Sequence, residues 1–326
     1  MDVIKPLIQV FEKHLSEHPL TREPFNLYQP ADYILSLGGK RLRPVFVLMG
    51  YDFYKKDVER SLNAAMAVEI FHNFTLLHDD IMDKAEIRRG KPTVHIKYNT
   101  NTAILTGDVM MIQAYQYLLD YKDQKTTVDL LNVFNKMAFE VCEGQQMDMD
   151  FETQDDVTID QYLQMITLKT SVLMAASVQM GAILAGADDK DQKHLYEFAK
   201  NFGIAFQLQD DVLDTFGDAA SVGKRIGGDI IQNKKTYLYL KAIELADDTQ
   251  RSELKKWYDI NDTFDENEKI HSVKKIFESV VVKEYTAQVI EAYRDLAISH
   301  LNACKIEKHR CAEITDLIDS LINRKH

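Results

Sequence analysis

The sequence predicts an all-α protein. In the first segment apolar residues recur at helical spacing, as in Ile4, Leu7, Phe11 and Leu15, and similar patterns occupy most of the 326 residues. Proline is scarce after Pro92, and the alternating pattern of half-buried strands is nearly absent. The apolar content of 45% is enough for a substantial core, so a globular helical fold is expected.

The apolar patterns predict helices whose boundaries are good to about four residues. In chain order they cover 2–17, 27–36, 42–54, 58–82, 102–120, 126–149, 158–168, 170–186, 190–214, 233–247, 249–260, 268–303 with breaks, and 307–323. Glycines and charges in residues 215–232 predict a long loop of the functional kind. No linker rich in Gly, Ser or Pro divides these segments, so we expect one domain over residues 1–326.

Charge and cysteine content argue against several classes of protein. The formal net charge of −12 is opposite to the basic surface of a nucleic-acid-binding protein, and a polyanionic substrate would need metals or local Lys/Arg clusters. The three cysteines form no CxxC pair, which predicts neither a disulfide framework nor a zinc site and favours a reducing, cytoplasmic location. The first 20 residues carry charges among their apolar positions, so no signal peptide is expected.

Residues 38–44, Gly-Gly-Lys-Arg-Leu-Arg-Pro, are expected to open the third helix after a glycine pair. Backbone N–H groups and the helix dipole favour an anion at such a helix start. Taken alone, the segment is more typical of a solvated helix start, so it gains meaning only together with other motifs.

The helix predicted over 58–82 leads into an acidic motif. Asp79 and Asp83 are four residues apart and share a helix face, whereas Asp80 turns aside. Stacked carboxylates repel each other unless they are solvated or share a cation, and hard oxygen ligands suit Mg²⁺ that also binds water and substrate phosphates. Arg88 and Arg89 follow in a turn, where they either bind an anion or compensate the carboxylates.

An uncharged stretch at residues 170–187 reaches the lower length limit of a membrane span. Thr170, Ser171, Ser177 and Gln179 interrupt it, and its alanines and glycines suit close packing between helices. A buried helix is therefore predicted in preference to a transmembrane segment.

The helix predicted over 190–214 ends in a second copy of the acidic motif, with Asp210 and Asp214 on one face and Asp211 aside. Because sites in helical bundles form between facing helices, we expect the two motifs to face each other across a pocket. The pair predicts a site for a metal-bound phosphorylated substrate.

Together these segments resemble the trans-isoprenyl diphosphate synthases, or polyprenyl synthetases, over nearly the whole chain. The resemblance rests on GGKRLRP, HDDIMD with RRGKPT, Lys169-Thr170, FQLQDDVLD, and Gly223-Lys224 with Gly227 and Asp229, in the family's order and approximate spacing. It implies an isoprenoid-synthase-type helical bundle around a deep central cavity. The implied reaction is condensation of isopentenyl diphosphate with dimethylallyl, geranyl or farnesyl diphosphate to a short all-trans polyprenyl diphosphate.

The resemblance also implies a role for each matching residue. Mg²⁺, with Mn²⁺ as a substitute, would be bound at three positions by Asp79, Asp83 and Asp210, with Asp80, Asp211 and Asp214 in support. Arg88, Lys169, Lys224 and Lys234 would contact the allylic diphosphate, and Lys40, Arg43, His72 and Arg89 would contact isopentenyl diphosphate. Thr170 and Gln207 match residues near the reacting carbons, where Lys169 also lies. A homodimer is implied as well.

The helical segment before the first motif is expected to form the floor of the pocket. Phe74 and Thr75 precede Asp79 by five and four residues, and Phe71 lies a further turn back. A bulky ring at Phe74 would block elongation while the smaller Thr75 leaves depth, which predicts geranylgeranyl diphosphate, with farnesyl diphosphate as the alternative. More distant alternatives are a class I terpene cyclase, which needs no isopentenyl site, and a noncatalytic partner subunit, which typically lacks acidic motifs.

Overall fold

The computed structural model describes residues 2–217, 226–259 and 264–323. Its helices are Lys5–Glu17 (α1), Phe25–Ser36 (α2), Leu42–Asp52 (α3), Leu62–Met82 (α4), Val94–Lys97 (α5), Thr100–Leu119 (α6), Gln124–Thr153 (α7), Ile159–Ile166 (α8), Val172–Ala185 (α9), Asp189–Phe216 (α10), Gly228–Ile231 (α11), Tyr237–Leu245 (α12), Asp248–Tyr258 (α13), Glu266–Ser279 (α14), Val282–Asn302 (α15) and Lys308–Ile322 (α16). Short 3₁₀ segments cover Asp2–Ile4 and Val58–Ser61. The predicted all-α class is confirmed.

Several short elements of the structure were not predicted from the sequence. Ile87–Arg88 (β1) and Lys91–Pro92 (β2) form a two-stranded antiparallel ribbon, and neither this ribbon nor α5 was predicted, because so few residues carry no periodicity. The predicted loop over 215–232 contains the four-residue α11. The predicted break in 268–303 falls before α15, where Val281 adopts a left-handed φ of 50°.

Between α8 and α9 the chain does not break. The two helices were predicted separately, but residues Thr167–Ser171 form a π-helical turn that joins them. Such turns insert one extra residue per turn and are frequent at functional sites. This turn carries Lys169 and Thr170, two of the predicted site residues.

The chain forms two compact units. The first unit comprises Met1–Lys136 and Ala176–Tyr196, and the second comprises Met137–Ala175 and Glu197–His326. The expectation of one domain over the whole chain stays a prediction.

In the first unit α4 packs against α3 and α6, and α3 is almost entirely buried. A Cβ atom at Gly50 would lie 2.2 Å from the backbone oxygen of Val178, and one at Gly181 would lie 2.0 Å from that of Val47. The glycines therefore let α3 and the last part of α9 approach backbone to backbone, as the small residues of the uncharged stretch predicted.

In the second unit the C-terminal helices form a layered bundle. Helix α12 packs against α8 and α15, and α15 against α14 and α16. Arg294 of α15 forms a two-pronged ion pair with Asp319 of α16, at 2.5 and 2.8 Å. This pair fixes the last helix against its neighbour.

The continuous helical stretch Ile159–Ala185 is long and apolar enough by composition to cross a membrane, and 67% of its most apolar window is buried inside the protein. Burial of this extent is what the core helix of a folded domain shows. It agrees with the predicted buried helix.

Candidate active site

Each acidic motif lies at the end of a long helix. Asp83 caps α4, and α10 continues two residues past Asp214. The middle carboxyl group is buried in both motifs, with Asp80 2% and Asp211 4% exposed. The outer residues are half-buried or exposed, so the predicted spacing agrees with the observed faces of both helices.

In the first unit, Arg88 holds the middle residue of the motif. Its Nε lies 2.9 Å from both carboxyl oxygens of Asp80, and its Nη2 lies 2.7 Å from Oδ1 of Asp80 and 3.7 Å from Oδ2 of Asp79. Burial raises the pKa of Asp80, and the bonds from Arg88 oppose that shift. Arg88 therefore links the first motif to the ribbon that begins at Ile87.

The glycine pair before α3 gives the basic segment its backbone shape. Gly38 and Gly39 have positive φ values of 79° and 137°, and the Arg89 side chain donates a hydrogen bond to the Gly38 carbonyl oxygen. A Cβ atom at Gly39 would lie 2.8 Å from the Arg89 guanidinium. Two segments distant in sequence, residues 38–43 and 88–92, thus meet at one place in the first unit.

Arg41 points inwards, whereas Lys40 is exposed. Arg41 adopts a left-handed φ of 50°, donates to Glu69 Oε1 at 2.5 Å and to the Leu35 carbonyl oxygen at 2.7 Å. Asn73 donates to the same Glu69 oxygen at 3.0 Å. The sequence offered one signal for this buried network, a glutamate within the otherwise apolar run 64–71.

Arg43 and His72 form a contact that the resemblance only implied. The Arg43 Nη1 atom lies 3.1 Å from His72 Nε2, which accepts the hydrogen bond. Burial, and next to it the charge of Arg43, lowers the pKa of His72 well below its ordinary value. Burial lowers the pKa of Arg43 to about 10, and Glu69 opposes this shift. A neutral imidazole therefore lies beside the Arg43 guanidinium.

Aromatic rings surround the predicted pocket floor. Phe71 packs edge-on against Phe74 and Phe134, with ring centroids 5.4 and 5.2 Å apart, and Tyr115 packs against Phe134 at 5.0 Å. The Thr75 hydroxyl donates to the His72 carbonyl oxygen at 2.8 Å. Phe134 was not predicted, because it lies on another helix with no motif around it.

In the second unit, Lys169 lies on the π-helical turn and reaches Asp148 of α7, with Nζ 2.6 Å from Oδ2. A Cβ atom at Gly144 would lie 2.3 Å from the Lys169 backbone nitrogen. Gly144 therefore permits α7 to contact the turn. Asp148 was missed, because the run QQMDMD has no motif character in the sequence.

Four side chains of the second unit form a hydrogen-bonded series. Thr170 Oγ1 donates to Gln207 Oε1 at 3.3 Å, Gln207 Nε2 donates to Asp211 Oδ1 at 3.1 Å, and the Tyr162 hydroxyl donates to Asp211 Oδ2. Burial and the charge of Asp229 raise the pKa of Asp211 to about 8. The structure thus brings together three predicted residues and adds Tyr162, which no motif had indicated.

The outer residue Asp214 receives backbone donors. The Asp229 N–H group donates to Asp214 Oδ2 at 3.0 Å, and the Gly227 N–H group donates to the Asp214 carbonyl oxygen at 2.7 Å. Lys234 Nζ lies 3.9 Å from Asp229 Oδ1. The predicted residue Lys224 lies outside the described residues.

The donor set of the two motifs fits Mg²⁺. Within residues 2–217, 226–259 and 264–323, no three His, Cys, Asp or Glu side chains gather into one metal-binding cluster. Mg²⁺ commonly uses one or two carboxylates and completes its shell with water and substrate phosphates, which suits the outer residues Asp79, Asp83 and Asp210. Asp80 and Asp211 are instead occupied with protein donors.

Comparison with known proteins agrees with this arrangement. A sequence profile described as polyprenyl synthetase matches residues 24–280. The chain is 44% identical over 228 residues to the short chain isoprenyl diphosphate synthase of Methanocaldococcus jannaschii, covering 70% of this chain and 69% of the relative. It is 35% identical over 326 residues to the geranylgeranyl pyrophosphate synthase of Geoglobus acetivorans, covering 100% and 99%.

Solved structures extend the similarity to the fold. A crystal structure of geranylgeranyl pyrophosphate synthase aligns with a TM-score of 0.95 and 48% identity, covering 100% of both chains. The helical architecture, the order of the motifs and these relatives lead to one conclusion: the chain belongs to the polyprenyl synthetase family and is a transferase of prenyl groups.

Proposed function

We propose that the protein condenses isopentenyl diphosphate with allylic diphosphates to make geranylgeranyl diphosphate. The observation that carries this proposal is the cationic group of the first unit, in which Arg43 contacts His72 and Arg89 contacts the Gly38 carbonyl oxygen. A diphosphate that binds without a metal needs direct cationic donors of this kind.

The two substrates would use different residues. Lys40, Arg43, His72 and Arg89 would bind isopentenyl diphosphate. Arg88, Lys169, Lys224 and Lys234 would bind the allylic diphosphate, and Asp79, Asp83 and Asp210 would hold the Mg²⁺ that accompanies it, supported by Asp80, Asp211 and Asp214. Bound Mg²⁺ supplies electrostatic stabilisation of the negative charge on the departing diphosphate.

Breaking the allylic C–O bond produces a carbocation, and the isopentenyl double bond then attacks it. The arginine and lysine side chains stabilise the charge on the leaving oxygens, so no protein nucleophile is required. A proton is lost from the new C–C adduct, and the diphosphate is its nearest strong base. The apolar residues around Phe74 would keep water from the cation.

The product length is argued from the aromatic rings and from the relatives. Phe71 and Phe74 are 1% and 8% exposed and pack against each other, so they form a rigid barrier, while Thr75 is small and half-buried. Two relatives that match over the whole chain, at 35% and 48% identity, are named geranylgeranyl pyrophosphate synthases. Farnesyl diphosphate is the alternative product, because a Phe71 or Phe74 ring turned further into the pocket would make the pocket shallower and the product shorter.

A class I terpene cyclase is the second candidate activity, because it also uses an acidic motif. It would not need the cationic group of the first unit, in which the half-buried Arg43 donates to His72 and loses part of its solvation. Condensation therefore accounts for more of the structure than cyclisation does.

We also propose that the protein is a homodimer, and helix α6 supports this. Leu105, Ile112 and Leu119 recur every seven residues and are 57%, 63% and 53% exposed, which gives the helix an apolar stripe of the coiled-coil type. Ile112→Glu should shift the mass measured by light scattering from two chains towards one, and an unchanged dimer would place the interface elsewhere.

The decisive experiment is incubation with radiolabelled isopentenyl diphosphate, Mg²⁺ and each allylic primer in turn, followed by chromatographic sizing. Labelled geranylgeranyl diphosphate is expected, and label in a shorter product would support the alternative. A parallel reaction with EDTA should lose activity, and Mn²⁺ should restore part of it. Conversion of an allylic primer to a cyclic hydrocarbon without use of the label would contradict the proposal.

A further inference from the structure

Tyr162 lies at one end of the hydrogen-bonded series that leads to Thr170. It is 3% exposed, and its hydroxyl donates to Asp211 Oδ2. The other carboxyl oxygen of Asp211 accepts from Gln207, whose own carbonyl accepts from Thr170. None of the implied roles of the family motifs falls on Tyr162, yet it is the buried donor that completes this series.

Between Thr170 and Asp211 the hydrogen bonds of the series all donate in one direction, towards Asp211. The Oδ1 atom of Asp211 carries lone pairs for a donor, so the Gln207 amide must turn its Nε2 towards Asp211. Its Oε1 then faces Thr170 and accepts the hydroxyl proton at 3.3 Å. The lone pairs of the Thr170 oxygen consequently point away from Gln207. The orientation of the Thr170 hydroxyl therefore depends on Asp211, to which it is linked through Gln207.

The backbone around the series is fixed independently. Helix α8 begins with a capping box in which Thr158 and Gln161 each bond the other's backbone N–H group, and Tyr162 follows directly. A Cβ atom at Gly203 would lie 2.8 Å from Cα of Ser171, so α10 presses on the π-helical turn next to Thr170. With the backbone fixed, only the side-chain torsion angles of the series can vary, and the hydrogen bonds restrict them.

We propose that Tyr162 is a positioning residue for the condensation. The inference rests on the proposed function. The Tyr162 hydroxyl holds the Asp211 carboxyl group, which orients the Gln207 amide, which in turn orients Thr170 beside the reacting carbons. Tyr162 touches neither substrate in this account and acts through Asp211.

Replacing Tyr162 by Phe keeps the ring and removes the donor. A buried oxygen of Asp211 then has no donor from this side, and the carboxyl group must rotate or admit water. Because misplacement of a catalytic group by about 1 Å can lower a rate about 100-fold, we expect kcat to fall about 10- to 100-fold. The KM for isopentenyl diphosphate should stay within about twofold, since its proposed residues belong to the other unit.

The matched control is Tyr258→Phe. Tyr258 belongs to the same unit, is 8% exposed and stacks on Tyr239, with ring centroids 3.9 Å apart. It loses the same hydroxyl from a similarly buried ring, so it reports any general effect of that change. Steady-state kcat and both KM values would be measured for wild type and both variants, together with the melting temperature.

A double-mutant cycle tests the route through Asp211. Asp211→Asn leaves one acceptor oxygen where the carboxyl group had two, so the side chain can no longer accept from Gln207 and Tyr162 at separate oxygens. If the side chains act as one series, the double variant Tyr162→Phe/Asp211→Asn is no slower than the slower single variant. Independent roles would instead multiply the two losses.

A wild-type kcat in Tyr162→Phe would overturn the inference. An equal loss of kcat in Tyr258→Phe would also overturn it, and so would a loss of kcat in Tyr162→Phe that is explained by a lower melting temperature. If Tyr162→Phe does not fold, Asp211→Asn is measured instead, and a normal kcat in that variant overturns the inference. A wild-type protein without condensation activity would refute the proposed function instead, which separates the two failures.

Discussion

Asp80 and Asp211 hold the same position in two copies of one motif, but Asp80 is bound by a guanidinium and Asp211 by a phenol and an amide. In the first motif Arg88 supplies a positive charge that offsets the buried carboxylate. In the second, burial and the charge of Asp229 raise the pKa of Asp211 to about 8, and the hydrogen bonds from Tyr162 and Gln207 oppose that shift.

Both arrangements reduce the repulsion among three neighbouring carboxyl groups. The first motif does so with a fixed cation, and the second with hydrogen bonds from two neutral donors, Tyr162 and Gln207. Identical spacing in sequence therefore does not imply identical chemistry. The outer residues should behave alike in the two motifs, and the residues that hold the middle position should not.

The largest effect is expected from the outer residues. Asp79→Ala and Asp210→Ala should each lower kcat/KM by about 1,000-fold or more, because charge stabilisation of a leaving group contributes several kcal/mol. Condensation of labelled isopentenyl diphosphate measures the loss, and circular dichroism should show an unchanged helical content. Full activity in one variant would show that its motif does not bind the metal, and the two motifs would then differ in function as well as in their partners.

The rings that precede each motif give a second comparison. Phe74 lies five residues before Asp79 and Phe206 four before Asp210, and each is 8% exposed. Phe74→Ala should lengthen the product if Phe74 forms the floor, whereas Phe206→Ala should not, although both lose about 3–5 kcal/mol of stability through the cavity created. Chromatography of the products decides, and a product distribution that responds equally to both changes, or to neither, removes Phe74 from the floor.

Arg88→Met tests how much the ion pair with Arg88 stabilises the middle residue of the first motif, Asp80. It leaves the buried Asp80 carboxyl group without its charged partner, and we expect a loss of about 1–3 kcal/mol in the free energy of unfolding. Urea denaturation measures it. The double variant Arg88→Met/Asp80→Asn should recover part of that stability, since no charge is then buried, and a double variant weaker than Arg88→Met would contradict this role of the pair.

The smallest effect concerns His72. Its folded-state pKa is lowered, so folding disfavours protonation, and this contribution to stability is present above the ordinary histidine pKa and lost as pH falls below it. His72→Gln should therefore reduce the difference in unfolding free energy between pH 7.5 and 5.5. His14, whose pKa is also lowered by burial, would keep part of the difference. An unchanged pH dependence would mean that the His72 ring is not buried in the solution structure.

The helices were predictable because each long segment carries the 3.6-residue period, and the boundaries of α6 and α10 fall within two residues of expectation. Residues within motifs, such as Arg88 and Gln207, could also be selected. Tyr162, Asp148 and Phe134 could not, because each acquires its role from a contact between helices far apart in sequence. The π-helical turn at Lys169 was equally hidden, since helical periodicity continues through it.

The close contact between Gly39 and Arg89 has an evolutionary consequence. A side chain at position 39 and a guanidinium at position 89 compete for the same volume. A methyl group at position 39 would collide with that guanidinium, and the φ of 137° at this position disfavours any side chain in addition. Among descendants of this sequence, position 39 should therefore stay glycine, although 50 residues separate it from Arg89.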